Sequence, residues 1–377
     1  MPTVYRADHC GSLVRPKDLR DARAAFHQGN TDLGSLRQAE DRAILDVLEM
    51  QRAVGVDIFS DGEFRRGFWL SAVSEEFISG MENEGIDYTR HPYLKDKKVE
   101  DADLLIPPNP IVKDRLALRK RITDTETAFL KEHAPGPFKI TIPSPVTLSR
   151  NSFKPGVTDR VYQTWEELFR AYTDVMVQEI TEIAKDGVPY IQLDAPHYTR
   201  FIVPERRQQL TQFGIDLDEE LTANIEAENK CLSAARSHGA TAAIHICLGT
   251  FILGAQGPTG GAGDYDENII GRLFGELDAD IFLIEYSERT RSLETLKTVP
   301  KHKNVSLGIQ NVRDPRIETS DEIMRKIEAA TDYIAIENLS LCPNCGFSGG
   351  AAETWITEDV EKRKLEVLAE TARLVWG

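Results

Sequence analysis

The sequence predicts an α/β protein built as a parallel (β/α)8 barrel of the TIM type, on three observations. Eight short apolar runs alternate with helical stretches along the 377 residues, the pattern of parallel strands joined by crossover helices. Residues able to do chemistry recur where those runs end, which is where barrels of this kind keep their active sites. The connecting helices repeat their apolar positions at helical spacing. A doubly wound open sheet is the competing arrangement of the same elements.

Taken in order, residues 3–7 read as the first strand and 8–13 as the loop after it. A helix over 35–54 carries Leu36, Ala39, Ala43, Leu45, Val47 and Leu48 among its apolar positions and closes at Gly55. Residues 56–60 form the second strand, running into Asp61-Gly62-Glu63. The stretch 70–115 is polar and weakly periodic, an excursion of hairpin or loop over one end of the fold. A helix near 115–133 leads to the third strand at 138–143, and a longer one over 162–185 to the fourth at 190–194.

A second excursion, 196–216, precedes a helix at 218–238 and the fifth strand, which ends His245-Ile246-Cys247-Leu248-Gly249. Helix 267–277 leads to strand six at 281–285, and short helix 292–298 to strand seven at 305–309. Ser320 is the expected N-cap of the next helix. Residues 333–337 are the expected eighth strand, and Thr357 opens a last helix reaching about 375. All of 1–377 is expected to form one barrel domain.

The formal charge of −16 argues against nucleic acid or a membrane surface as partner, since polyanions repel a broadly acidic chain. An anionic small molecule held by a local Arg cluster remains compatible with it. No stretch reaches the apolar length of a membrane span, and residues 1–6 lack the core of a signal peptide. Five cysteines, an odd number in a long chain, suit a reducing cytoplasm better than a disulfide scaffold.

The strand ends carry Ser12, Glu63, Ser144, Asp194, His245 with Cys247, Glu285, Asn311 with Arg313, and Cys342 with Cys345. Strand side chains alternate, so His245 and Cys247 share one side, ~7 Å apart along the chain. An imidazole and a thiolate are ligands that zinc prefers. One cysteine of Cys342-Pro343-Asn344-Cys345 would supply a third donor, with Glu285 as an exchangeable fourth. Buried packing is the plainer role for a free cysteine, and Cys-x-x-Cys alone would also suit a redox dithiol. Glu63 lies close to Arg65 and Arg66, where a surface ion pair is the simplest assignment. Asp194 ends an otherwise apolar strand, so its carboxylate needs a partner, and a ligand's ammonium group is a suitable one. The glycine-rich stretch 254–263 matches no phosphate-loop spacing and is expected to be a lid or a plain loop.

These strand ends resemble the zinc-bearing C-terminal barrel of cobalamin-independent methionine synthase and its short, single-barrel relatives, a barrel shared with zinc-free uroporphyrinogen decarboxylase. The resemblance runs from Gly11-Ser12 to Cys345-Gly346-Phe347 and is most specific at His245-Ile246-Cys247, Ile284-Glu285 and Asn344-Cys345-Gly346. It implies zinc held by His245, Cys247, Glu285 and Cys345, with Cys342 a bystander. Asp194-Ala195-Pro196 resembles the family's Asp-Glu-Pro strand end, and Asp61-Gly62-Glu63 its Gly-Glu turn. In the family those acids hold the amino group of homocysteine, and the Gly-Ser turn meets its carboxylate. Carried over, the substrate residues are Glu63, Asp194 and Ser12, with Arg6 or Arg15 near the acid group. Ser144, in Pro143-Ser144-Pro145-Val146, joins them.

Three departures stand out. Ala195 replaces the second acid, Asn311 and Arg313 stand where the long synthases carry Asp and His, and Phe347-Ser348-Gly349 replaces their Leu-Lys-Thr-Arg tail. These speak against methyltetrahydrofolate as donor. The resemblance implies a zinc-dependent transferase moving a methyl or alkyl group to an aminothiol, with Asp194 and Arg313 as catalytic residues, Arg313 orienting an anionic donor. The related epoxyalkane:coenzyme M transferase shows a second outcome, alkylation of another thiol, and a lyase or decarboxylase on the same barrel is a third. The expected partners are a small thiol and an alkyl donor. Trp376 is expected to pack as a tail or against a second copy of the chain.

Overall fold

The structure, a computed structural model, describes residues 4–72, 74, 76–83, 110–202, 207–208, 211, 216–247, 267–286, 293–350 and 355–377. The glycine-rich stretch 254–263 and parts of both expected excursions lie outside these residues. Six parallel strands form one sheet in sequential order: β3 (Lys139–Pro143), β4 (Tyr190–Asp194), β5 (Thr241–Ile246), β6 (Ile281–Glu285), β7 (Asn304–Gln310) and β8 (Leu339–Pro343). The two N-terminal segments that read as strands make single bridges, Ala7 to Leu341 and Phe59 to Phe138. Main-chain hydrogen bonds nevertheless carry the circuit round. Leu341 N–H donates to the Arg6 carbonyl, Asp8 N–H to Leu341, Asp57 N–H to Ala7 and Lys139 N–H to Phe59. The chain is a (β/α)8 barrel in which residues 6–8 and 57–59 stand between β8 and β3.

Strand alternation divides the core. Tyr190, Ala243, Ile281, Leu283 and Cys342 cluster with Cys10 and Ile58 inside the barrel. Their neighbours Ile191, Leu193, Ile244, Phe282, Ile284, Leu307 and Leu341 belong to the larger cluster shared with the helices. Each such aliphatic side chain removed from water contributes about 1.5–3 kcal/mol. Helix α1 (Lys17–His27) was not legible in the sequence, whereas α2 (Leu33–Val54) was, capped by the Asp32 side chain on Ser35 N–H at 2.8 Å and closed by Gly55 at φ +83°. A hairpin of β1 (Ile78–Asn83) and β2 (Pro110–Leu118) occupies the first excursion. Because β2 continues to Leu118, the expected helix at 115 begins only at α3 (Asp124–His133).

Short helix α4 (Pro145–Ser152) is started by Pro145 and capped by Ser144, and α5 (Trp165–Lys185) buries Leu168, Tyr172, Val175, Met176, Ile180 and Ile183 on one face. The one-turn helix α6 (Thr199–Ile202), α7 (Leu217–Arg236) and α8 (Glu267–Glu276) follow. Residues Leu293–Thr298 are 3-10 rather than α-helical.

Two expectations near the C-terminus are corrected. The N-cap of α9 (Ser320–Thr331) is Thr319, not Ser320, because Thr319-x-x-Glu322 closes a capping box. The eighth strand is Leu339–Pro343 rather than 333–337: Tyr333 and Ile336 are exposed, and Ile336–Asn338 form a 3-10 turn. Apolar character drew attention to the earlier run, while Ser340 and Cys342 disguised the buried one. The last helix, α10 (Glu358–Trp376), starts at Thr357 as expected. Trp376 packs on its own chain, donating to the Ile336 carbonyl at 3.0 Å beneath the Arg6 guanidinium. Among the described residues no helix is long and apolar enough to cross a membrane.

Candidate functional site

At the carboxyl ends of β5, β6 and β8, four of the expected residues converge. The ligand atoms of His245, Cys247 and Cys345 lie within 4.8 Å of one another. Cys247 Sγ is 3.6 Å from Cys345 Sγ and 3.5 Å from Glu285 Oε2. His245 and Cys247 point the same way because they are two residues apart across a strand end. The β5–β6 pairing, with Ile246 opposite Ile284, brings Glu285 alongside. Cys345 follows β8 by two residues and is the one partly exposed cysteine of the five, all free thiols.

His245 carries the clearest sign of a ligand. Its Nδ1 lies 3.2 Å from the Leu283 carbonyl, an acceptor only, so Nδ1 bears the proton and donates. The other ring nitrogen, Nε2, is buried and meets no hydrogen-bonding nitrogen or oxygen, Cys247 being the side chain with which the ring interacts most strongly. A ring nitrogen oriented through its partner is the usual arrangement of a metal-bound histidine. Burial presses the imidazole toward neutrality, but Cys247, Asp194 and Cys342 outweigh it and raise its pKa to about 9, so a metal bound at the ring would displace a proton from it. The adjoining Cys345 thiol, followed by burial, pushes Cys247 well above the usual thiol range. One imidazole, two thiols and a neighbouring carboxylate fit zinc in both donor softness and number.

Beside this group lies a pair of buried acids. Glu63 is held at φ +61°, the sole non-glycine positive φ among the described residues, a conformation costing roughly 1–2 kcal/mol for a side chain of this hand. Asp61 Oδ1 fixes it by accepting the Glu63 N–H at 2.9 Å. Glu63 Oε1 accepts from Thr141 Oγ1 at 2.7 Å and lies 3.4 Å from Arg66, while Oε2 is buried with no hydrogen bond. Gly11 makes room for it: a β-carbon there would sit 3.1 Å from Glu63 Oε1 and 2.7 Å from Thr141, at φ +108°. Asp194 accepts from Gln192 Nε2 at 2.8 Å and pairs in register with His245. Burial raises the Asp194 pKa to about 6; His245 opposes the rise and the Glu63 charge adds to it.

The remaining expected residues are placed as follows. Ser12 touches the cysteine loop, accepting the Phe347 N–H at 2.8 Å on its carbonyl, and its Oγ lies where any side chain at Gly346 would collide. The Ser144 hydroxyl donates to Glu228 at 2.5 Å and caps α4. Arg313 lies on the loop after β7 with its guanidinium 5.0 Å over the Trp355 ring. Cys342 sits within β8, its sulfur 3.6 Å from the Ser306 carbonyl. Arg6 is corrected as an acid-group contact. It donates to the Glu337 and Leu339 carbonyls at the amino end of β8, the wrong end of the barrel for that task. Arg15 is buried and donates to the carbonyls of Leu13, Glu63, Arg66 and Ser348.

Several participants escaped sequence reasoning. Arg66 bridges Glu126 in a bidentate pair, at 2.9 and 2.7 Å, and reaches toward Glu63. Lys139 donates to Asp8 and Gln192 inside the barrel, so Gln192 must present its N–H to Asp194. Asn344 donates to Glu285 Oε1 at 3.1 Å. Glu285 aside, the only hint at these was polar character inside buried strands, which names no partner.

Residues 7–362 match the sequence profile of the family described as "Cobalamin-independent synthase, Catalytic domain". The uncharacterized protein YxjH of Bacillus subtilis is 27% identical over 376 residues, covering 99% of this chain and 95% of that protein. A methionine synthase of Saccharolobus solfataricus is 23% identical over 374 residues, covering 97% and 93%. Two solved structures share the fold. A putative vitamin-B12 independent methionine synthase from Listeria monocytogenes superposes with a TM-score of 0.74 at 23% identity, over 100% of this chain and 99% of that one. A B12-independent methionine synthase from Shewanella sp. W3-18-1, in complex with selenomethionine, gives 0.75 at 20% identity, over 99% and 98%.

Proposed function

The chain belongs to the cobalamin-independent synthase catalytic-domain family, a family of transferases acting on thiols, and from that premise we propose that it is a zinc-dependent methyl- or alkyltransferase acting on a homocysteine-like aminothiol. The observation that carries this reading is the convergence of His245, Cys247 and Cys345, whose ligand atoms lie within 4.8 Å of one another with the two sulfurs 3.6 Å apart. His245, Cys247, Cys345 and Glu285 would hold the ion. Bound there, zinc would lower the pKa of a coordinating thiol so that it is a thiolate at neutral pH, where a free thiol is only a few per cent ionised.

The chain's own groups account for the rest. Glu63 Oε2, buried without a hydrogen bond, and Asp194 would offer acceptor oxygens to an ammonium group, while Arg66 lies 3.4 Å from the other Glu63 oxygen. Ser12, pressed against Gly346, is assigned to the substrate's carboxylate and Ser144 to the wall that supports it. Two carboxylates in the pocket repel a sulfonate, which favours an aminothiol over coenzyme M. Arg313 is assigned to the acidic part of the donor, which the departures from the folate-using pattern leave open to other methyl or alkyl carriers. Five free thiols are in keeping with a reducing cytoplasm.

The test is elemental analysis of the purified chain and of Cys247→Ala, Cys345→Ala and Cys342→Ala, followed by a screen of aminothiols for alkylation. About one zinc per chain, lost with Cys247 or Cys345 and retained without Cys342, is expected. A chain that takes up no zinc when metal is supplied sinks the mechanism and turns attention to a decarboxylase-like reaction.

A further inference from the structure

We infer that Asn344 is a positioning residue that holds Glu285 in a single orientation at the metal centre and ties it to the loop after β7. The inference rests on the zinc reading above and adds a residue to it. Asn344 is nearly fully buried, and each end of its amide is committed. Nδ2 donates to Glu285 Oε1 at 3.1 Å. Oδ1 accepts the Val312 N–H at 3.1 Å, and the Asn344 backbone N–H donates to the Gln310 carbonyl at 2.9 Å. The Val312 N–H can only donate, so the amide cannot flip without losing both side-chain bonds.

The consequence falls on Glu285. With Oε1 taken by Asn344, Oε2 is the oxygen turned to Cys247, at 3.5 Å. A neutral donor suits the place, because an acid at 344 would set a second carboxylate against Glu285. Gly308 makes the approach feasible: a β-carbon there would lie 2.9 Å from Asn344 Cα and 2.6 Å from the Ile284 carbonyl. Val312 is the neighbour of Arg313, so one side chain links the loop carrying Arg313 to the carboxylate beside the two sulfurs. Partners that orient a ligand typically contribute about 10- to 100-fold in metal affinity.

The experiment uses the full-length chain loaded with zinc, titrated against a chelator, and its cobalt form read by visible absorption. Asn344→Asp keeps the acceptor for Val312 but removes the N–H offered to Glu285. Asn344→Ser removes the contact without adding charge. Both are expected to weaken metal binding about 10- to 100-fold and to shift the cobalt d–d bands. The loss should vanish when Glu285→Ala is already present. Unchanged affinity and spectrum in both variants, or a loss that persists in full with Glu285→Ala, overturns the inference. Failure of the unaltered chain to bind either metal is a different result and overturns the zinc reading together with it.

Discussion

Cys247 and Cys345, 98 residues apart in the chain, bring their sulfurs to 3.6 Å. One follows β5 and the other follows β8, and the parallel stagger of the wall puts both above the barrel's interior. Such proximity has a consequence when the metal is stripped. With chelator present, a mild dithiol oxidant such as diamide should join the two as a disulfide, each sulfur losing a proton and one electron to the oxidant. Peptide mapping should find the Cys247–Cys345 link in stripped protein and little of it in zinc-loaded protein. A link dominated by Cys342 instead would place the wrong cysteine at the centre.

Glu63 and Asp194 should act on binding of the amine. Charge-assisted hydrogen bonds contribute about 1.5–3 kcal/mol, so Glu63→Gln and Asp194→Asn should each raise the KM for an aminothiol by about ten- to a hundredfold, with a smaller change in kcat. A thiol lacking the amine should show no such penalty. Equal losses with both substrates would assign these acids to structure.

Glu361 offers a pH test away from the metal group. Burial raises its pKa from about 4.5 to about 8, although the Val14 N–H, 2.8 Å from Oε2, opposes the rise. A carboxyl raised on folding is protonated in both states below the unfolded value and costs nothing there. As pH climbs from about 4.5 through about 8, the folded state increasingly holds a proton that the unfolded state gives up, and stability falls. Glu361→Gln keeps an acceptor for Val14 and removes the titration. Its unfolding free energy should match the parent's near pH 5 and exceed it near pH 9, by an amount on the order of a few kcal/mol. A constant difference across that range would refute the assignment.

Helix α9 separates two adjacent hydroxyls. Thr319 accepts the Glu322 N–H at 3.3 Å, and Glu322 returns a bond to the Thr319 N–H at 2.8 Å. Thr319→Ala should cost about 1 kcal/mol in urea unfolding, and Ser320→Ala less than about 0.5 kcal/mol. The reverse order would restore Ser320 as the cap.

The alternation of apolar runs with helices was legible along most of the chain, since burial on both faces leaves parallel strands nearly continuous in apolar residues. It failed at β8, where Ser340 and Cys342 interrupt the run and 333–337 imitates one. It also failed at Arg6, whose position along a strand was readable but whose end of the barrel was not, until the eighth strand was placed. His245, Cys247, Glu285 and Cys345 could be nominated because each ends or follows a strand and carries donor atoms.

By itself, then, the sequence determined the barrel, the acidic surface and the chemical identity of the candidate ligands, all of which depend on local pattern and residue type. Only the tertiary structure decided which atoms meet. The cluster of His245, Cys247 and Cys345, the left-handed Glu63 beneath Gly11 and the Asn344 bridge from Val312 to Glu285 each depend on residues brought together by strand register. Hydrogen bonds act over about 3 Å; the partners here lie tens of residues apart in the chain, and closing the barrel is what sets them side by side.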